Sequence, residues 1–449
     1  MVAAPDAGGL ARVEFEIVVH GGMVVPPRDG VKTRPAVHAG DLWHPWAVPD
    51  HRRPTDGAAP GAILAGLVLV SLALRPQLSG IGPLSGRIVE DLGVSHAFVG
   101  LLTTIPVLCM GLFAPVGPAI AGRLGTRWGI AGAAGLVAVA GLVRTLVGGE
   151  PAMLVLTFLI GIATATSGPM LAMFVRGTLS GHRVAGTAAY AAGTTLGSAI
   201  AAGIAVPLAL LLGGWRGSLG AISVLSGLGV AVWLFVTRER ADTPAWPAVT
   251  PGRLHLPVRR PVVWALGLLF GIQSAVFYGV NAWLPSFYVE RGWDPALAAA
   301  LLSVSSFAGL VSILLAPLAA RRGLERRQVL VIASGSVLVG SAGVVLFPVL
   351  AWVWALILGG GLGLMFTMVL TLPTDVASDA HGAGGASALM LLVGYLIAST
   401  SPFALGAVRD ATGSFAISLW LLVALAASML PLSWALSPQR LHPGRHAGS

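Results

Sequence analysis

Two arginines stand inside apolar runs. Arg75 follows Leu67-Val-Leu-Val-Ser-Leu-Ala-Leu, and Arg144 follows Gly135-Leu-Val-Ala-Val-Ala-Gly-Leu-Val. A guanidinium in hydrocarbon costs from about 2.5 kcal/mol upward, so such a residue usually faces a cavity and a partner. No Asp, Glu or His falls in the middle of any apolar run. An anionic ligand is then the simplest partner, because a guanidinium offers planar, bidentate donors suited to small oxyanions and carboxylates. The competing reading is that each arginine snorkels to headgroups or binds carbonyls freed by a helix break. Pro76, directly after Arg75, makes such a break real there.

A second constellation lies further on. Gln273, Phe277 and Asn281 recur at i, i+4 and i+8, hence on one helical face, with Tyr278 and Trp283 flanking it and Pro285 expected to end the helix. A glutamine at that depth must find hydrogen-bond partners. It either glues helices together or lines an aqueous cavity, and the aromatic and second amide on its face favour the cavity. Tyr190 with Thr194 and Gly197, and Tyr395 with Ser399, form weaker faces of the same kind. The candidate binding residues are therefore Arg75, Arg144, Gln273, Tyr278, Asn281, Tyr190 and Tyr395. There is no His-Glu-x-x-His helix, no Walker-type phosphate loop and no intramembrane aspartate pair. Catalytic residues, a metal, a cofactor, an enzyme activity and a nucleotide partner are accordingly not expected.

The elements that hold these residues follow from composition. Only 10% of the 449 residues are charged and 55% are hydrophobic, with a mean hydropathy of +0.85. A water-soluble domain carries about 25% charge, so the solvent here is a lipid bilayer. That also removes nucleic acid as the meaning of the net charge of +9. About 20 apolar residues cross a membrane as a helix. Twelve stretches qualify, near Gly61–Gly82, Ala97–Ile120, Trp128–Val147, Ala152–Val175, Val184–Leu212 and Ser218–Val236, then Pro261–Trp283, Pro295–Leu318, Val329–Phe347, Leu350–Leu372, Gly385–Val408 and Phe415–Leu436. The fifth is long and is expected to tilt or kink at Pro207.

Arginine sets the orientation. With the N-terminus inside, seventeen arginines fall at cytoplasmic boundaries, while Arg87, Arg216, Arg291 and Arg409 fall outside. The positive-inside rule then puts both termini in the cytoplasm of a multi-pass cell-membrane protein. Residues 1–57, rich in proline, glycine and histidine, read as a disordered cytoplasmic tail. The expected organisation is a six-helix half over 58–237, a proline- and arginine-rich central loop over 238–260, a second half over 261–436 and a cytoplasmic tail over 437–449. The halves carry matching basic turns, Ala121-Gly-Arg-Leu-Gly-Thr-Arg127 and Ala319-Ala-Arg-Arg-Gly-Leu-Glu-Arg326, whose glycines lie 198 positions apart. Such internal repetition marks repeat-built transporters. Arg123, Arg127, Arg321 and Arg322 are the candidate gating-turn residues.

These features resemble the major facilitator superfamily. Within it the chain is similar to the cyanate and 2-nitroimidazole porter family (CynX/NimT). The resemblance rests on Phe270-Gly-Ile-Gln-Ser274, Phe277-Tyr278, Trp283-Leu-Pro285 and Gly292, and on Leu74-Arg-Pro-Gln-Leu78 with Gly82-Pro83. Gly141-Leu-Val-Arg144, Gly213-Gly-Trp-Arg216 and Gly394-Tyr395 with Pro402 and Gly406 also fit. It spans about residues 60 to 436. There are departures: Gly122 precedes Arg123 where the superfamily usually has Asp, and Thr164 to Gly168 precede Pro169 where an Asn and a Leu-rich stretch are usual. The resemblance implies a twelve-helix, two-half, all-α fold. It also implies secondary or facilitative transport of a small solute by alternating access, either a small anion such as cyanate or a carboxylate, or a nitroimidazole-type compound. Drug efflux on the same architecture is the alternative, and a non-transporting membrane sensor is a third. Asp375 is the nearest candidate for proton coupling, near the cytoplasmic end of its helix.

Overall fold

The structure is a computed structural model that describes residues 60–238, 256–376 and 380–436. It also describes two short strands, Val19–His20 and Met23–Val24, which pair antiparallel. Those strands belong to a unit of their own, Met1–Gly57, separate from Ala58–Ser449. The expected tails over 1–57 and 437–449, and residues 239–255 of the central loop, otherwise lie outside the described residues.

The second unit is helical, and twelve of its segments are long and apolar enough to cross a membrane. In lipid every backbone group must be paired within its own element, which is why long apolar runs fold as helices there. Spans one to six are Gly61–Ser79, His96–Phe113, Val116–Leu146, Glu150–Thr178, Arg183–Leu211 and Trp215–Val236. Spans seven to twelve are Pro261–Val289, Pro295–Leu318, Arg326–Leu346, Pro348–Val376, Gly382–Thr412 and Phe415–Ala435. This is the expected all-α, twelve-helix architecture in two halves of six.

Two expectations shift in detail. Span two ends at Phe113, a new helix starts at Val116, and that helix reverses at Gly125 (φ 79°, ψ 157°) within Val116–Leu146. Gly323 (φ 73°) makes the matching reversal in the second half. Both angles lie where a side chain would be strained, so each basic turn requires its glycine. Span seven does not end at Pro285 but runs on to Val289. Pro207 likewise sits inside a continuous helix, Arg183–Leu211. Prolines are tolerated within membrane helices where neighbours take up the freed backbone groups.

The halves repeat in atomic detail. Ser218 Oγ donates to the Ala205 carbonyl at 2.7 Å, and Ser418 Oγ, 200 positions on, donates to the Leu405 carbonyl at 2.8 Å. The last turn of the first helical run and the start of span six are tied by Asp91, which accepts from Trp215 Nε1 at 2.9 Å and pairs with Arg216. The counterpart in the second half is Glu290, which accepts from the Phe415 amide at 2.9 Å.

The bundle has a basic end, carrying the Gly125 and Gly323 turns, and a far end. The halves are joined from mid-bundle to the far end. There Ser85 and Ser286 share a hydrogen bond at 2.6 Å, and Asp410 accepts from the His96 and Ala97 amides and pairs with His96 Nδ1 at 2.7 Å. Thr104 Oγ1 donates to the Ser399 carbonyl and accepts from the Phe403 amide. At the basic end, two ties each stay within one half. Arg127 donates to Thr237 Oγ1 and the Leu234 carbonyl, and Arg326 pairs with Asp375.

Candidate functional site

The first helical run, span one with its extension to Leu92, is not one helix but three pieces, Pro60–Leu72 and Pro76–Ser79 within the span and Ile81–Leu92 beyond it. Its break falls at Ala73-Leu74-Arg75, immediately before Pro76, which lacks an amide hydrogen and restarts the helix at its first position. A break at this depth leaves carbonyls that water cannot reach. Neighbouring helices supply the donors: Ser226 Oγ to the Ala73 carbonyl at 3.1 Å, Thr164 Oγ1 to that of Leu74 at 3.3 Å, and Arg144 Nη2 to that of Gln77 at 3.2 Å. Spans six, four and three thus hold the break open. Discontinuous helices of this kind line the binding sites of repeat-built transporters.

Arg75 sits at that break and is half-buried. Its guanidinium interacts electrostatically with the Tyr278 and Tyr395 hydroxyls, both from the opposite half. Tyr278, on span seven, also donates to Met110 Sδ at 3.4 Å. Tyr395, on span eleven, packs edge-on against Phe270 (5.2 Å, 90°), and Phe277 packs edge-on against Tyr278 (5.1 Å, 81°). The groups acting on Arg75 are these two phenols, and among the described residues no carboxylate joins them. The arrangement is a single cation from one half facing two hydroxyls and an aromatic wall from the other.

The remaining sequence candidates lie elsewhere. Arg144 is 1% exposed and bonds to Gln77 and Thr157 within its own half. Gln273 is buried, where it donates to the Leu362 carbonyl at 3.4 Å and accepts from Ser274 Oγ at 3.1 Å, so its amide joins spans seven and ten. Asn281 is half-buried and donates to the Phe277 carbonyl one turn back. Tyr190 lies within electrostatic reach of Arg176, towards the basic end. At the candidate gating turns Arg123 and Arg322 are exposed, Arg127 is bonded as above, and the Arg321 side chain lies outside the described residues. Asp375 is engaged by Arg326. Sequence reading singled out Arg75, Tyr278 and Tyr395 separately but gave no sign that they meet. It missed Gln77, Thr164, Ser226 and Met110, whose hydrogen-bond partners on other helices lie 67 to 168 positions away.

The comparisons with known proteins agree with this architecture. The family model described as Major Facilitator Superfamily matches residues 67–402. The chain belongs to that superfamily. It is 30% identical over 365 residues to the 2-nitroimidazole transporter of Escherichia coli, covering 80% of this chain and 90% of that protein. It is 28% identical over 350 residues to the cyanate transport protein CynX of the same organism, covering 78% and 90%. Among solved structures, a bacterial homolog of the human lysosomal transporter Spinster, in an inward-facing and unoccupied conformation, superposes with a TM-score of 0.69. That match has 17% identity and covers 86% of this chain and 98% of the other. The chain is therefore a major facilitator transporter of a small molecule, multi-pass in the plasma membrane, and the resemblance to the cyanate and 2-nitroimidazole porters holds.

Proposed function

We propose that this transporter carries a small monovalent anion, held by Arg75 between the Tyr278 and Tyr395 hydroxyls. The observation that carries the reading is the surroundings of Arg75, a guanidinium at membrane depth whose interacting groups are two phenols from the opposite half. An anion completes that set. The guanidinium supplies two parallel donors, Tyr395 adds a third, and Tyr278 adds a fourth when its hydroxyl turns from Met110 to the anion. Relatives named for cyanate and 2-nitroimidazole transport support a compact, planar solute. The solute crosses unchanged, with no covalent step and no cofactor.

The site is made from both halves, so rocking one half against the other alternates its exposure. In this reading the arginine-rich end is cytoplasmic, both termini lie inside, and the joined far end faces outward. The half-buried rings of Phe277 and Tyr395 favour a second reading, export of an uncharged nitroimidazole-type compound by stacking.

Uptake of labelled cyanate and labelled 2-nitroimidazole into proteoliposomes separates the two. The anion reading expects Arg75→Ala to lower kcat/KM for cyanate by about a hundredfold or more, the scale of an unreplaced charged contact of roughly 3 kcal/mol. Parental cyanate uptake by Arg75→Ala defeats it. Loss of neither activity, with 2-nitroimidazole clearly transported, selects the second reading.

A further inference from the structure

Arg144 is the other guanidinium at membrane depth, and the proposed site leaves it unused. Its Nη donors are used inside the N-terminal half, while Nε is buried without a hydrogen-bond partner. Nη2 reaches both the Gln77 carbonyl at 3.2 Å and the Gln77 Oε1 at 2.8 Å, while Nη1 reaches Thr157 Oγ1 at 3.3 Å. Gln77 is fully buried, and its amide nitrogen donates in turn to the Leu219 carbonyl at 3.2 Å and to Ser223 Oγ at 2.7 Å. Gly141, nearly one turn before Arg144, provides the room. A Cβ there would stand 2.7 Å from Gln77 Cδ and 2.8 Å from Ser223 Oγ. Spans three and six therefore grip one residue by its backbone and its side chain, two positions beyond Arg75.

That grip acts on the piece of span one least able to hold itself. Pro76–Ser79 is four residues long, about one turn, and a lone turn has almost no intrinsic stability. We infer that Arg144 is a positioning residue. Through Gln77 it fixes the orientation of the Ala73–Gly80 break, and with it the direction in which Arg75 is presented, without touching the solute. The fork matters as well as the charge, because a lysine ammonium is a point donor that does not reproduce the planar geometry reaching Gln77 and Thr157 together. The inference rests on the reading of Arg75 as the anchor, but its central claim about the break is testable without any solute.

The test is hydrogen–deuterium exchange of the full chain in lipid nanodiscs, solute-free, read over residues 73–81. Arg144→Met and Gln77→Ala are each expected to speed exchange there by about tenfold, as expected when a locally held segment is released. The double variant should be no faster than either alone, since both remove one grip. Gly141→Ala, which pushes Gln77 aside sterically, should give the same signature and keeps the test alive if Arg144→Met does not fold. Arg75→Ala should leave this exchange within about twofold of the parent, because Arg75 receives the positioning and does not supply it. Parental exchange in Gln77→Ala and Gly141→Ala, or additive effects in the double variant, overturns the inference. In cyanate uptake, Arg144→Met should raise KM with kcat near the parent, and Arg144→Lys should not rescue it. Full rescue by lysine would mean that charge alone matters, which also overturns it. Failure of cyanate uptake in the parent would instead sink the anchor reading, and the exchange result would still decide the grip.

Discussion

Span one and span seven open the two halves of a repeated fold, yet they are built differently. Span one, with its extension to Leu92, is broken into three pieces and carries the cation at its break. Span seven is a single helix of 29 residues, Pro261–Val289, and carries the phenol that faces that cation. Each is tied at its far end to the last span of its own half, by Asp91 in one case and Glu290 in the other. The repeat thus fixes where both helices end, and divergence has acted in the middle. A continuous helix presents side chains at fixed angles. A broken one can point a long cation along the bundle, provided neighbours pair the stranded carbonyls. The N-terminal half supplies charge and the C-terminal half supplies shape.

The two helices meet at Gly82, and among changes to how the helices pack the largest effect is expected there. Pro285 cannot donate to the Asn281 carbonyl one turn back. Gly82 packs against that same oxygen so closely that a Cβ would stand 2.1 Å from it. Gly82→Ala should prevent the halves from closing at the far end and cut uptake by at least about thirtyfold. That corresponds to roughly 2 kcal/mol of overpacking. Cysteine-accessibility labelling should find the far end open while the protein remains folded. An unchanged labelling pattern would mean that this contact does not govern closure. Next is Pro76→Ala, which allows span one to become continuous like span seven. About a tenfold loss in kcat/KM for cyanate is expected, of the order of a kilocalorie or so per mole. Parental kinetics would mean that the neighbouring side chains, not the proline, define the break.

Smaller changes come from the hydroxyls. Tyr278→Phe and Tyr395→Phe each remove one donor facing the site while keeping the ring. KM for cyanate should rise about three- to tenfold in each, as for a hydrogen bond of about 1 kcal/mol. An effect confined to one of them would assign the solute to that side of Arg75. The smallest effect concerns the end of the first helical run. Hydrogen bonds from Trp215 and Arg216 hold the Asp91 carboxyl below its usual range. Its folded-state pKa being depressed, the stability it adds is complete above its unfolded value of about 3.9. That stability is lost as pH falls through the lower folded value. The melting-temperature gap between the parent and Asp91→Asn should therefore be about a degree or two near neutral pH and close below about pH 3, small because the pair is solvent-screened. A gap that persists at pH 2 would show that the carboxylate charge is not its source.

Much of the fold could be read from the chain because bilayer physics leaves few choices. Twelve apolar runs became twelve spans, and the two basic turns became reversals at Gly125 and Gly323. Pro285 does not end span seven, where the opposite half packs against the carbonyl it leaves free. The site was half legible. Arg75, Tyr278 and Tyr395 are unusual at their depths, but residues on separate helices of opposite halves leave no local pattern that joins them. Gln273 and Arg144 look the same in sequence as cavity-lining groups. Only their partners, the Leu362 carbonyl and Gln77, distinguish a side chain that binds helices from one that faces a solute.

The far-end seam between the halves has a kinetic consequence. Gly82 abuts the Asn281 carbonyl, Gly100 the Pro402 carbonyl and Gly406 the His96 carbonyl, alongside a few hydroxyl bonds, one histidine–aspartate pair and the His96 ring packed against Trp283 and Phe415. Contacts between bare backbone and oxygen are individually weak and involve no long side chains that must be reordered. Such a seam can come apart in small increments, like a zip, so the activation energy for each half-cycle is spread over many small steps. Glycine here serves speed as much as fit.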